Sequence, residues 1–170
     1  MLNTEGRVDF ETAAPFPGPC GKDWDGYARD AEEAAEIICG VPVNDHPLLA
    51  ALQAGNRRDF DIKKLSEESF EQCIGMVRNW RACGYLHPMD FNLKVWGTKW
   101  NACEPQADPE AGTCQFETAW SCPMGVLEKV SARFPDDAIT VTYADEDIGS
   151  NCGTFTLKAG QMVEQDIAPN

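Results

Sequence analysis

The stretch that decides the fold begins at Asn92, ends at Ala102 and reads Asn-Leu-Lys-Val-Trp-Gly-Thr-Lys-Trp-Asn-Ala. It contains two tryptophans, Trp96 and Trp100, with Gly97 and Lys99 between them. A glycine between large side chains indicates a bulge or a close approach of two backbone segments. We therefore predict a strand over residues 93–95, with Trp96 in the core and the aliphatic stem of Lys99 covering apolar surface.

Other segments with alternating apolar and polar residues predict the rest of a sheet. This alternation is typical of strands, and it occurs in residues 115–119, 139–143 and 154–157. We predict that these three segments and residues 93–95 form one mainly antiparallel sheet, with a helix over residues 124–134 on one face. Trp96, Trp100 or both are expected to be buried beside Trp120. Two further strands are predicted, over residues 7–12 and near residues 162–165.

Helices are predicted before residue 93. One begins at Asp23 or Asp25 and ends at Cys39 before Gly40, and a short one begins at Asn44 or Asp45 and ends near Gly55. Residues 56–64 are predicted to be a connector. The strongest helical pattern begins at Ser66 and is ended by Gly84, because its apolar residues recur every three to four positions. These patterns predict an α+β fold.

The composition narrows the classes of protein that the chain can belong to. Its 170 residues predict a single domain, with a helical insert over residues 24–85 and a sheet-rich part over residues 91–166. The net charge is −14, which argues against direct binding of nucleic acid, because phosphate backbones require basic surface. No membrane-spanning segment and no export signal are seen, so we expect a cytoplasmic protein.

Two acidic segments flank the predicted strand over residues 139–143. They supply the candidate partner-binding residues, which are Asp136, Asp137, Asp145, Glu146 and Asp147. The alternative interpretation is a solvated surface, since consecutive acids in a turn diverge and the pattern of an EF-hand is absent. Trp96, Lys99 and Trp100 are a second candidate, an aromatic and basic platform, although the core interpretation of Trp96 is preferred.

Cysteine and histidine residues raise the alternative of an enzyme. The chain contains eight cysteines without a Cys-x-x-Cys pair, and we expect mostly free thiols and no metal or cofactor. His46 and His87 are the only histidines, and either could serve as the base for a thiol nucleophile. No glycine-flanked cysteine motif supports that chemistry, so we predict that the protein is not an enzyme.

Several segments resemble the YubB-like (Api-ninety-two-like) family of plasmids, phages and other mobile elements: Trp96-Gly97-Thr98-Lys99-Trp100-Asn101-Ala102, Phe116-Glu117-Thr118-Ala119-Trp120-Ser121, Tyr143-Ala144-Asp145-Glu146-Asp147, Asn151-Cys152-Gly153, and Phe10-Glu11-Thr12 followed by Pro15-Phe16-Pro17. The resemblance implies a ferredoxin-like domain without an iron–sulfur cluster. A Trp-Cys-x-Asn motif, typical of the family's first strand, does not precede Arg7, so the usual first strand and helix are expected to be missing. The family has no established reaction, and the resemblance brings no catalytic residues.

The charge and the resemblance together predict a function in binding. We expect an accessory protein of a mobile element that binds a host protein, such as an acidic inhibitor of a nucleic-acid-targeting defence system of the CRISPR type. Carboxylates would occupy sites that a basic effector uses for phosphate. The alternatives are a small intracellular enzyme using a cysteine or acidic cluster, and a scaffold that oligomerises through a sheet edge.

Overall fold

The computed structural model describes residues 1–24, 26–146 and 151–167, without the side chain of residue 167. The chain divides into two compact units. The first consists of Met1–Pro15 together with Asn92–Asn170, and the second is Phe16–Phe91. The second unit contains the predicted helical insert.

The Phe16–Phe91 unit is helical. Its elements are α2 (Arg29–Cys39), α3 (Pro47–Asp59), a 3₁₀ turn (Ile62–Lys64), α4 (Glu67–Cys83) and α5 (Pro88–Phe91); α1 belongs to the other unit. Helices α2 and α4 pack together through a fully buried group of small and sulfur-containing side chains, namely Ala31, Ala34, Ala35, Cys73 and Met76. Close helix packing of this kind depends on small side chains at the contact.

The ends of these helices confirm three of the predicted signals. Ser66 caps α4 by accepting a hydrogen bond from the Ser69 N–H, and Gly40 and Gly84 end α2 and α4 in the left-handed conformation. The predicted starts at Asp23 or Asp25 and at Asn44 or Asp45 are wrong, because α2 begins at Arg29 and α3 at Pro47, each without a side-chain cap. The predicted end of α3 near Gly55 is wrong, because the helix continues to Asp59. This extension allows Arg57 to reach α2, where its guanidinium donates to the Val41 carbonyl and the Glu36 carboxylate.

Over its described residues, the other unit contains five strands and two α-helices. The strands are β1 (Cys103–Asp108), β2 (Thr113–Glu117), β3 (Ala138–Tyr143), β4 (Gly153–Lys158) and β5 (Gln161–Ile167), and the helices are α1 (Phe10–Ala13) and α6 (Met124–Arg133). β1 and β2 form a two-stranded antiparallel sheet. β3, β4 and β5 form a three-stranded antiparallel sheet in that order. The α+β class and the strands predicted near residues 139–143, 154–157 and 162–165 are confirmed.

Helix α6 covers one face of the three-stranded sheet. Leu127 of α6 packs against Phe155 and Leu157 of β4, and these three side chains are buried. Val141 and Tyr143 of β3 are only half-buried at the border of the same group. The prediction of a helix on one sheet face is therefore confirmed for this sheet.

Two predicted strands and the predicted single sheet are wrong. Residues 93–95 lie in a π-helical turn, Asn92–Trp96, and residues 115–119 belong to a separate hairpin that ends at Glu117. Residues 7–12 contain the start of α1 instead of a strand. Asp9 caps that helix by accepting from the Glu11 N–H, so Phe10 and Ala13 point to the same buried side.

Candidate functional site

Hydroxyl groups hold residues 97–99 against residues 118–122. The fully buried Thr98 donates from Oγ1 to the Ala119 carbonyl at 3.0 Å, and Ser121 Oγ donates to the Gly97 carbonyl. Thr118 Oγ1 donates to the Ser121 carbonyl at 2.8 Å. We call Thr98, Thr118 and Ser121 with their acceptors the polar frame. Because each hydroxyl satisfies a backbone carbonyl outside any sheet, the frame fixes two irregular segments without a ladder.

Asn101 anchors the far end of the same segment. Its Oδ1 accepts from the Phe10 N–H at 2.8 Å, and its Nδ2 donates to the carboxylate of Asp9 at 2.7 Å. These bonds attach Asn101 to the start of α1, although Phe10 and Asp9 lie 91 and 92 positions earlier in the chain. The backbone on both sides of Lys99 and Trp100 is therefore fixed.

Two glycines allow the backbone to approach closely here, as the sequence predicted for Gly97. Gly97 has a φ of +85°, and a Cβ on it would lie 3.3 Å from the Cys122 carbonyl oxygen. A Cβ on Gly125 would lie only 2.0 Å from the carbonyl oxygen of Val95. Glycine at position 125 is therefore required by space.

Trp96 lies in the core of this unit. Its indole N–H donates to the Ala14 carbonyl at 2.7 Å, and its ring packs edge-on against Phe10 at a centroid distance of 5.6 Å. The core interpretation of Trp96 is confirmed. A buried indole cannot contribute to an exposed platform, and the structure separates Trp96 from the other two candidates.

Lys99 and Trp100 form an exposed group with a residue that the platform hypothesis did not include. The Lys99 ammonium lies 4.7 Å from the ring centroid of Trp100 and 5.5 Å from that of Trp120. Trp100 is 54% exposed and Trp120 is 78% exposed, so of the two tryptophans that were expected to be buried only Trp96 is. We call Lys99, Trp100 and Trp120 the tryptophan–lysine surface. Cation–π contacts at such distances orient the two indoles around one charge.

Trp120 occupies a strained backbone conformation. Its φ of +64° lies in the left-handed region, which residues other than glycine, asparagine and aspartate rarely adopt. The carbonyl of Ala119 on one side and the Ser121 hydroxyl on the other are both held by the polar frame. The frame thereby fixes the conformation that carries the indole outward.

The acidic candidates lie at the two ends of β3. Asp136 and Asp137 precede it and are exposed, and Asp145 and Glu146 follow it and are also exposed. Asp145 accepts from the Glu146 N–H at 2.6 Å and from Asn151 Nδ2 at 3.3 Å. Asp147 lies outside the described residues. A strand of six residues spans about 20 Å, so these carboxylates form two separate groups.

The two histidines occupy different environments. His87 is buried, accepts the Asp90 N–H at Nδ1, and contacts Glu32 from Nε2 at 3.1 Å. Tyr27 stacks on its ring at 4.0 Å, and burial raises the pKa of the Tyr27 hydroxyl, with the charges of Glu32 and Asp90 adding to the shift. His46 is exposed at the start of α3. Within the described residues, neither histidine is hydrogen-bonded to a cysteine.

All eight cysteines are unpaired. Burial raises the pKa of Cys122 to about 11, and it also raises the pKa values of Cys39 and Cys73. A raised pKa keeps a thiol protonated at neutral pH and lowers its reactivity, since the thiolate is the nucleophile. In the described part of the chain, histidine, cysteine and carboxylate side chains form no group of three that could hold a metal ion.

Residues 95–170 match the model of a family described as the ferredoxin-like domain in Api92-like protein. This match confirms the resemblance that was carried by the Trp-Gly-Thr-Lys-Trp segment, and it includes both tryptophans of the exposed group and all of the acidic candidates. Residues 1–94 lie outside it. No curated protein and no solved structure matches the chain. Each helix among the described residues is too short or too polar to cross a lipid bilayer.

Proposed function

We propose that the protein is a non-enzymatic accessory protein of a mobile element and that it binds a host protein through the tryptophan–lysine surface. The observation that supports this proposal is the exposure of Trp100 and Trp120 on a backbone that the polar frame holds fixed. Tryptophan is enriched among the residues that dominate binding energy at interfaces. A surface that is rigid before binding loses little conformational entropy on association. The match of residues 95–170 to the Api92-like domain fits an accessory role.

The charge supports a basic partner. The sequence of residues 1–15 and 92–170 contains 15 acidic and 6 basic residues. Opposite charge on the partner would accelerate encounter, and like charge would exclude most acidic host proteins. The partner that we propose is a nucleic-acid-binding effector of a host defence system, of the CRISPR type, in the host cytoplasm. Its lysines and arginines would meet carboxylates where they otherwise meet phosphates.

Affinity capture from a host lysate tests the proposal when three forms of the protein are compared. These are the wild type, the double variant Trp100→Ala with Trp120→Ala, and the control Phe134→Ala. Phe134 is 54% exposed in the same unit but lies outside the tryptophan–lysine surface. We expect the wild type and the control to enrich the same basic, nucleic-acid-binding protein. The double variant should bind it at least about 30-fold more weakly, because truncation of a dominant interface residue costs about 2 kcal/mol.

A second comparison tests the role of the acids. The variant Asp137→Lys with Glu146→Lys reverses one charge at each end of β3. We expect slower association with the captured protein, little change in dissociation, and a weaker dependence of the rate on salt. Equal capture by the tryptophan double variant, or enrichment of acidic proteins alone, would contradict the proposal.

A further inference from the structure

The two outer strands of the three-stranded sheet differ in how they are protected. β5 carries the charged residues Glu164 and Asp166, and its pairing with β4 is interrupted between Thr156 and Leu157. Charges and irregular pairing are the devices by which sheet edges avoid further strands. β3 reads Ala-Ile-Thr-Val-Thr-Tyr, without a charge, proline or glycine, and pairs with β4 without interruption. β3 therefore has the features of a strand that can still accept a neighbour.

The outer edge of β3 is open. Among the described residues, β3 pairs with β4 alone, so the backbone groups on its other side have no ladder partner. The apolar layer also becomes thinner towards this edge. Phe155 and Leu157 of β4 are buried beneath α6, whereas Ile139, Val141 and Tyr143 of β3 remain half-buried. A further strand beside β3 would satisfy the backbone groups and complete the cover of these side chains.

The charges at the ends of β3 select the occupant. Exposed acids stand at both ends, Asp136 and Asp137 at one and Asp145 and Glu146 at the other. A second copy that paired through its own β3 would place acids beside acids at both ends, whether the two strands ran parallel or antiparallel. Like charges opposite each other destabilise strand pairs. The same arrangement favours a strand that carries a basic residue beyond each end.

We propose that the open edge of β3 accepts an extended segment of the partner protein as an additional strand of the sheet. The segment is uncharged and rich in β-branched residues over about six positions, and it has a lysine or arginine beyond each end, about 20 Å apart. Main-chain hydrogen bonds would hold the segment, and the two acidic groups would read its ends. The inference rests on the proposed function in one respect only, that the occupant belongs to a protein partner.

Synthetic peptides test this proposal on the full chain. The probe has a centre of alternating threonine and valine and two lysines at each end. One control has glutamates in place of the lysines, and a second keeps the lysines but is N-methylated throughout its centre, so that it has no N–H to donate. We expect the lysine-ended peptide to bind and to slow amide hydrogen exchange in β3 but not in β5. Both controls should bind at least about 10-fold more weakly.

Variants separate this proposal from the proposed function. Asp137→Lys with Glu146→Lys should reverse the preference between lysine-ended and glutamate-ended peptides. Trp100→Ala with Trp120→Ala should leave peptide binding unchanged while it weakens binding of the captured partner at least about 30-fold. Equal binding of the N-methylated peptide, protection of β5 instead of β3, or dimerisation of the free protein through β3 would each overturn the open edge as a partner site. Undiminished capture of the partner by the tryptophan double variant would count against the tryptophan–lysine surface alone and would leave the open edge of β3 untouched.

Discussion

Two regions of the molecule are stabilised in different ways. One is the packing of α2 against α4 in the helical unit, and the other is the polar frame in the other unit. In the helical unit, small and sulfur-containing apolar side chains such as Ala31, Ala35 and Met76 fill the interior. In the other unit, Thr98 and Ser121 hold irregular backbone through single hydrogen bonds to carbonyls. Apolar packing accepts modest changes of volume, whereas a buried hydrogen bond that loses one partner leaves the other unsatisfied. We therefore expect the frame region to be the less tolerant of substitution.

The largest expected effect on stability comes from a pair of glycine substitutions, one in the unit that contains the polar frame and one in the helical unit. Gly125→Ala would place a methyl group 2.0 Å from the Val95 carbonyl oxygen, and a backbone atom cannot move aside as a flexible side chain can. We expect a loss of about 3 kcal/mol or more in the free energy of unfolding, measured by urea denaturation. The matched control is Gly55→Ala within α3, where a Cβ meets nothing within 4 Å. It should raise stability by about 0.5–1 kcal/mol. Equal effects of the two would contradict the comparison.

Asn79 is an exception to the apolar packing of the helical unit, because its side chain makes buried hydrogen bonds there. Its side chain is fully buried on α4, donates to the carbonyls of Cys20 and Leu86, and accepts from the Cys20 N–H. Asn79→Ala should cost about 2–3 kcal/mol, since three backbone groups lose their partner. The control Asn56→Ala changes an exposed position of α3 and should alter stability by less than about 0.5 kcal/mol. Thermal denaturation of both variants measures the difference. If Asn79→Ala had no larger effect than the control, apolar packing alone would account for the stability of the helical unit.

The smallest expected effect concerns the alkylation rate of the Cys122 thiol. This rate reports on how tightly the chain packs around Gly97. Burial raises the pKa of its thiol from 9.0 to about 11, so at pH 8 its thiolate fraction is about 100-fold below that of an ordinary thiol. Alkylation followed by mass spectrometry should label the exposed Cys103 first and Cys122 much later, with the Cys122 rate rising about 100-fold between pH 8 and pH 10. Because the folded-state pKa is the higher one, the protonated thiol stabilises the fold below about pH 9, and this contribution declines as the pH rises towards 11. Rapid labelling of Cys122 at pH 8 would show that the frame region opens readily.

Helix α4 was predictable because its signals are local. Ser66 and Gly84 act on neighbouring backbone groups, so the bounds of α4 follow from residues within one turn of each end. The strands β3 and β4 were predictable for a similar reason, because their alternation reflects one sheet face under α6. In both cases a few adjacent residues carry the information.

The candidate site was predictable only in part, because distant pairs determine it. Trp96 was assigned to the core correctly, but residues 93–95 form a π-helical turn, and Val95 lies against Gly125, thirty positions away. Residues 115–119 were predicted to be a strand by their alternation, whereas β2 ends at Glu117 and the hydrogen bonds of the polar frame hold the residues that follow. The two threonines and the serine of the frame were the available signal. Nothing local says which carbonyl each hydroxyl meets.

The left-handed conformation of Trp120 lowers the stability of the fold, whereas the tryptophan–lysine surface requires the indole of this residue. Glycine at position 120 would relieve a backbone strain of about 1 kcal/mol and would remove the indole at the same step. In a lineage that no longer needs the surface, substitutions to glycine or asparagine at this position would be favoured because they stabilise the fold. Among related chains, the residue found at position 120 becomes a record of whether selection on binding is still at work.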